Sequence, residues 1–201
     1  MNLKELYQEI ILEHGKNPRN LGKTDNFNKD AKGHNPLCGD NVHVYLKLNG
    51  QKIVEDISFE GSGCAISMAS ASIMTDLIKG KNEHEAKEIV EDFLGMIKEN
   101  LKLNSENLKE DEKTKLMCLS GVKQYPMRVK CATLSWHTLI SAIDNTQEEI
   151  NTEKIDPTSN SLNQDLILRD DIAENKLSNE DLLRNVPDSE LGFFVVPKVI
   201  E

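Results

Sequence analysis

Residues 42–48 alternate, with Val42, Val44, Leu46 and Leu48 set against Asn41, His43, Tyr45 and Lys47, and the run then meets Asn49-Gly50. Period-two alternation closed by Asn-Gly is the strongest short signal for a β-hairpin. A second strand over about Lys52 to Phe59 is expected to return antiparallel. Closing that ribbon brings its two ends together, so Cys38 and Cys64, 26 residues apart in sequence, are placed at its open end. His43 falls on the polar side and reads as a solvent-facing strand histidine. Residues 22–37, rich in Gly, Asn, Asp and Lys, read as an exposed loop leading into Asn35-Pro36-Leu37-Cys38-Gly39-Asp40.

The returning strand delivers the chain to Gly61-Ser62-Gly63-Cys64-Ala65-Ile66-Ser67, a cysteine between a glycine-flexed turn and the first turn of a helix. Backbone N–H groups and the positive end of a helix dipole stabilise anionic sulfur there, well below a free thiol pKa of about 8.5. The glycines allow the close approach that a metal or a partner chain requires. Ile66, Ala69, Ile73 and Leu77 form the buried stripe of that helix, and Gly80 ends it. Its small residues, Ser67 and Ala69 to Ser72, suit close packing on the sheet, since no base stands at a readable spacing from the serines.

The remaining elements are helical. Asn2 and Glu5 resemble a capping box before a face of Leu3, Leu6, Tyr7, Ile10 and Ile11, with Gly15 and Pro18 as the stop and His14 as a surface or helix-end cation. Asn82 and Glu85 open a helix whose inward side is Ala86, Ile89, Phe93 and Ile97, with His84 solvated in its first turn. Residues 98–115 are charged and read as a solvated loop or helical insertion. Pro126 then suits the first helical position before a stripe of Ala132, Trp136, Leu139 and Ile143. On that helix Arg128 and Cys131 are three apart and share a face, which sets a cation beside a thiol.

Composition bounds the rest. Residues 148–201 hold 13 Asp or Glu against 5 Lys or Arg, leaving 21 against 19 for residues 1–147. The division predicts a domain over 1–146 and an acidic C-terminal extension over 147–201, in part disordered or docked. Within it, Leu177 to Arg184 suits a short helix and Leu191 to Pro197 a sticky extended stretch. Nucleic acid is not the expected partner, because phosphate contacts need clustered Lys and Arg. No leader pattern and no run of 18 apolar residues is present, which predicts a cytoplasmic protein without membrane partners. Four cysteines in such a compartment read as metal ligands, nucleophiles or inert core thiols, not as a disulfide framework. Cys118, after Leu116 and Met117, reads as a buried inert thiol.

Cys38, Cys64 and Cys131 with Asp40 would fill a tetrahedral zinc site, although no C-x-x-C knuckle marks them. Asn35 to Asp40, Gly61 to Ser67 and Arg128-Val129-Lys130-Cys131-Ala132-Thr133-Leu134, in this order, resemble the NifU N-terminal/IscU family, and its SufU branch most. Asn17-Pro18-Arg19-Asn20 is similar too, and the resemblance covers about residues 1–145. It implies an α+β fold, a small antiparallel sheet with helices packed on one face, and zinc ligands Cys38, Asp40, Cys64 and Cys131. The IscU branch has a histidine immediately before the last cysteine and a Leu-Pro-Pro-Val-Lys motif; here Lys130 and Tyr125-Pro126-Met127-Arg128-Val129 stand instead. The gap of 67 residues from Cys64 to Cys131 fits the insertion of the SufU branch.

That branch implies a zinc-dependent sulfurtransferase. A SufS-like cysteine desulfurase docks on the zinc face, its histidine replaces Cys38 on the metal, and the freed Cys38 thiolate accepts persulfide sulfur. The sulfur then passes to a downstream, SufBCD-like cluster scaffold. Arg128 gives electrostatic support, and with Lys130 offsets the formal charge of a zinc ion held by three thiolates and a carboxylate. The alternative keeps the same ligands on a labile iron–sulfur cluster, making the chain an assembly scaffold.

Overall fold

The computed structural model describes residues 3–98, 103, 107–146, 149–154, 183–184, 189–190 and 193–194. Two compact units divide the chain, Met1–Asn163 and Gln164–Glu201.

The first unit is built on a four-stranded sheet in the order β3-β2-β1-β4, from β1 (Lys29–Asn35), β2 (Asp40–Leu48), β3 (Val54–Ser62) and β4 (Ile150–Asn151). The hairpin expected from the alternation is β2–β3, with Val44 opposite Phe59 and Asn41 opposite Ser62. Its turn is longer than a two-residue Asn-Gly loop. The Asn49 side chain accepts the N–H groups of Gln51 and Ile53, both at 2.9 Å, and Lys52 takes a φ of 59°, so β3 starts only at Val54.

Two readings of the sheet are corrected. Residues 29–35, where the composition predicts loop, form β1, which pairs antiparallel with β2 from Lys29↔Leu46 to Asn35↔Asp40. The strand hides from an apolar pattern because its inward positions are Ala31, Gly33 and Asn35. They must be small, since a Cβ on Gly33 would run into the Thr138 hydroxyl of the helix crossing it. The sheet is also mixed, because the two-residue β4 pairs parallel with β1.

Helices α1 (Leu3–Lys16), α2 (Ala65–Ile78), α3 (Glu83–Lys98), α4 (Glu110–Cys118) and α5 (Pro126–Asp144) complete the unit, with a 3-10 segment at Leu119–Gln124. The Asn82–Glu85 capping box is present in both directions at 2.9 Å, and Pro126 opens α5. α2 and α5 carry the core against the apolar face of the sheet, joining Val44, Leu46, Ile57 and Phe59 to Ile73, Leu77, Leu134 and Leu139. Trp136 stacks on Phe93 of α3 with ring centroids 4.2 Å apart, and its indole N–H donates to Ser70 Oγ at 2.9 Å. Ser70 in turn donates to the Ala132 carbonyl at 2.6 Å, so the small residues of α2 do serve close helix packing.

His14 is not a surface cation. It is 3% exposed, and its Nδ1 meets Ser72 Oγ at 2.8 Å, tying α1 to α2. Burial, and then the neighbouring Arg19 charge, push its pKa below the usual histidine value. α1 also runs through Gly15, which lies against Ala65. His84 is solvated as expected, 83% exposed beside Glu88.

In the second unit Ser189–Glu190 (β5) pairs antiparallel with Phe193–Phe194 (β6), and Phe193 is 75% exposed. Residues 177–182 of the expected helix at 177–184 and the rest of the stretch 191–197 lie outside the described residues, as do residues 99–102 and 104–106 of the charged stretch 98–115.

Candidate metal centre

Three motifs distant in sequence meet at one end of the sheet. The four-residue connection from β1 to β2 carries Cys38, the first residue of β2 is Asp40, the exit of β3 leads through Gly63 to Cys64, and the second turn of α5 carries Cys131. Ligand atoms of Cys38, Asp40 and Cys131 all lie within 4.8 Å of one another. The sulfurs of Cys38 and Cys131 are 3.2 Å apart. Cys64 stands just outside that group of three, with its sulfur 3.8 Å from Asp40 Oδ2.

Local chemistry explains each position. Cys64 is the N-cap of α2: its backbone is extended, and its sulfur accepts the Ser67 N–H at 3.4 Å, where a serine or aspartate oxygen would serve in other helices. Asp40 is fully buried and accepts the Cys64 backbone N–H at 2.8 Å. A Cβ on Gly63 would stand 2.6 Å from Asp40 Oδ1, so the carboxylate reaches the helix start only because that residue is glycine. Interaction with Cys131 lowers the Cys64 pKa, and interaction with Cys64 raises that of Cys131. The Cys131 sulfur further contacts the Met127 carbonyl at 3.5 Å, as a thiol one helical turn on can do.

Exposure divides the donors. Asp40 and Cys131 are buried, whereas Cys38 and Cys64 face solvent. Three apolar side chains flank this end in sequence and are themselves half-exposed: Leu37 at 52%, Tyr125 at 50% and Met127 at 51%. Arg128 stacks over the Tyr125 ring at 4.5 Å. Among the described residues no hydrogen bond joins its guanidinium to a sulfur. Lys130 is buried beside Cys131. Cys118 is buried, its thiol donates to the Thr114 carbonyl at 3.1 Å, and burial pushes its pKa up to about 11, which removes it from thiolate chemistry.

Sequence reasoning passed over Asn35. It is fully buried, its Nδ2 lies 3.1 Å from the Cys38 sulfur and 3.7 Å from the Cys131 sulfur, and its Oδ1 accepts the Leu37 N–H at 3.3 Å. An Asn two or three residues ahead of a turn is a legible Asx-turn signal, but its second role at the sulfurs needs the fold.

The donor set suits a borderline-soft divalent ion. Thiolate and carboxylate ligands with one face open to solvent are what a tetrahedral zinc site with an exchangeable position uses. Hydrogen bonds from Asn35 Nδ2 and the Cys64 and Ser67 amides are aimed at the atoms that would carry the negative charge.

A family model described as the NifU-like N terminal domain matches residues 6–132. A second, the Glu-tRNAGln amidotransferase C subunit, matches residues 138–196. The chain is 45% identical over 139 residues to the zinc-dependent sulfurtransferase SufU of Bacillus subtilis, covering 69% of this chain and 89% of that protein. It is 38% identical over 144 residues to the iron–sulfur cluster assembly scaffold protein IscU of Thermotoga maritima, covering 71% of this chain and 96% of that one. Among solved structures, a putative iron–sulfur cluster assembly scaffold protein for the SUF system from Fervidobacterium islandicum is similar with a TM-score of 0.61 and 37% identity, over 69% of this chain and 97% of that chain.

Proposed function

Because the chain belongs to the NifU-like N-terminal domain family, we propose that it is a zinc-dependent sulfurtransferase, which accepts persulfide sulfur from a cysteine desulfurase and passes it to iron–sulfur cluster assembly. The carrying observation is the meeting of Cys38, Asp40 and Cys131, with Cys38 on the solvent side of the group. Cys38, Asp40, Cys64 and Cys131 hold the metal. Zinc, when bound, keeps thiolates deprotonated at neutral pH and masks them as nucleophiles.

Cys38 is the acceptor because it is the exposed sulfur of the three-residue group. Its thiolate attacks the outer sulfur of the desulfurase persulfide. The S–S bond of that persulfide breaks, the desulfurase cysteine leaves as a thiolate, and Cys38 gains the persulfide with no net oxidation. Arg128, held by stacking on Tyr125, supplies positive charge to the anions gathered there. The half-exposed Leu37, Tyr125 and Met127 suit a protein surface as the donor. A SufS-like desulfurase and a SufBCD-like acceptor, both in the reducing cytoplasm, complete this reading.

Cys38→Ser tests it. The variant is expected to keep its circular dichroism and to stop raising desulfurase turnover; normal stimulation would sink sulfur acceptance at Cys38. Similarity to IscU scaffolds favours a second reading, a labile iron–sulfur cluster on the same ligands. Anaerobic reconstitution with iron and sulfide separates the two: a scaffold yields a chromophore that moves to an apo-acceptor, whereas a sulfurtransferase returns about one zinc per chain.

For the C-terminal part, the match over residues 138–196 to an amidotransferase C subunit supports an attachment segment that binds other subunits of such an enzyme. The apolar run Leu191 to Pro197, set in an acidic stretch, fits that role. Full-length chain is expected to co-migrate with the purified remaining subunits in gel filtration and Phe193→Asp to weaken this; separate migration of the full-length chain refutes it.

A further inference from the structure

Resting on the sulfur-transfer reading, we propose that Asn35 is a positioning residue of the site, whose side-chain amide donates to the sulfurs of both Cys38 and Cys131 and holds Cys38 ready to leave the metal as acceptor. The valence count closes. The Nδ2 group has two N–H bonds, and two sulfurs lie within reach of it, at 3.1 and 3.7 Å. Oδ1 is taken by the Leu37 N–H, which fixes the amide with its donors toward sulfur.

The backbone of the same residue fixes the loop. The Asn35 carbonyl accepts the N–H of Cys38 at 3.3 Å and of Gly39 at 2.9 Å, and Asn35 is the register partner of Asp40. One buried residue therefore sets the position of the acceptor thiol, touches a second sulfur and stands opposite Asp40 in the backbone ladder. The shorter contact goes to Cys38, the exposed sulfur. A thiolate at Cys38 keeps a neutral donor there, whereas without one its charge would face Cys131 at 3.2 Å and the buried Asp40 carboxylate.

Two substitutions separate this role from that of a turn residue. Asn35→Asp keeps an oxygen for the Leu37 N–H and removes both donors; Asn35→Leu removes donor and acceptor at similar volume. Zinc affinity by chelator competition, the thiolate-to-metal charge-transfer band of cobalt-loaded protein, and desulfurase stimulation at saturating zinc are measured on the full chain. Both variants are expected to lose about 10- to 100-fold in zinc affinity, as outer hydrogen-bond partners of metal ligands do, to shift the cobalt band, and to stimulate poorly even when loaded. An Asn35→Asp protein with wild-type affinity, band and stimulation overturns the proposal and leaves Asn35 as a turn residue. Should Asn35→Leu fail to fold, Asn35→Asp carries the test alone. Zinc and cobalt binding need no desulfurase, so they report on Asn35 even where Cys38→Ser has refuted sulfur acceptance.

Discussion

Asp40 Oδ1 accepts the backbone N–H of Cys64 at 2.8 Å, while Asp40 Oδ2 lies 3.8 Å from the Cys64 sulfur. The carboxylate thus caps the approach to α2 and offers a hard donor to the metal group at once. Asp40→Ala removes both functions and is expected to cost about 2 kcal/mol of stability, the scale of a hydrogen bond to a charged group, together with tenfold or more in zinc affinity. Asp40→Asn keeps an oxygen for the Cys64 N–H, so it should recover stability in urea without recovering zinc binding. Equal zinc affinity in Asp40→Asn and wild type would remove Asp40 from the ligand set.

Metal removal is expected to lower the melting temperature without abolishing the fold. The candidate donors sit on the β1–β2 connection, the first residue of β2, the N-cap of α2 and the second turn of α5, so an ion bound there would tie these elements, while the apolar core from Val44 and Phe59 to Phe93 and Trp136 needs no metal to pack. Free zinc at about a thousand times its dissociation constant stabilises by about 4 kcal/mol. For a chain of this size that is roughly 8–16 °C in Tm. Scanning calorimetry before and after chelation measures it, and superimposable curves would contradict a metal bound only by the native state.

Much of this arrangement was legible in the residues. The alternation before Asn49-Gly50 gave β2 and its return, and glycines before Cys64 gave a capped helix start. β1 was hidden because α5 crosses it so closely that its inward positions had to be small, which erased the apolar alternation by which a strand is read. His14 misled for a related reason. At a helix end it looks like a dipole partner, yet its ring is taken by Ser72, 58 positions along, a pairing without local signal. The ligand candidates were named from motifs, but that Asn35 bridges two of their sulfurs depends on a contact across 96 positions.

Ser70 links two helices through one oxygen, which accepts from the indole of Trp136 and donates to the Ala132 carbonyl. Trp136 is completely buried, so Ser70→Ala leaves an indole N–H without a partner inside the core. The cost should be about 1–3 kcal/mol. Trp136 is the single tryptophan of the chain, so its fluorescence follows urea unfolding of the variant directly. A lower midpoint with an unchanged slope is expected; an unchanged midpoint would mean that the bond contributes nothing net.

His137, on α5 six residues past Cys131, gives the fold an acid-sensitive element outside the candidate ligand set. Burial first, and the Lys98 ammonium second, push its pKa down to about 4 from 6.5; the Lys98 Nζ stands 3.4 Å from its Nε2. The folded chain therefore binds fewer protons than the unfolded chain between these values, and stability rises with pH across that window. It is complete above about 6.5, falls as the unfolded histidine takes its proton, and reaches its limit near pH 4, where the folded one is protonated too. At about 1.4 kcal/mol per pH unit the full loss is up to about 3 kcal/mol. His14, also lowered, acts in the same direction, so His137→Gln should flatten the profile without levelling it. Urea midpoints at half-unit steps from pH 7 to 4, on metal-free protein so that ligand protonation does not enter through zinc release, compare the two slopes; a variant as acid-sensitive as wild type would exclude His137 as a source.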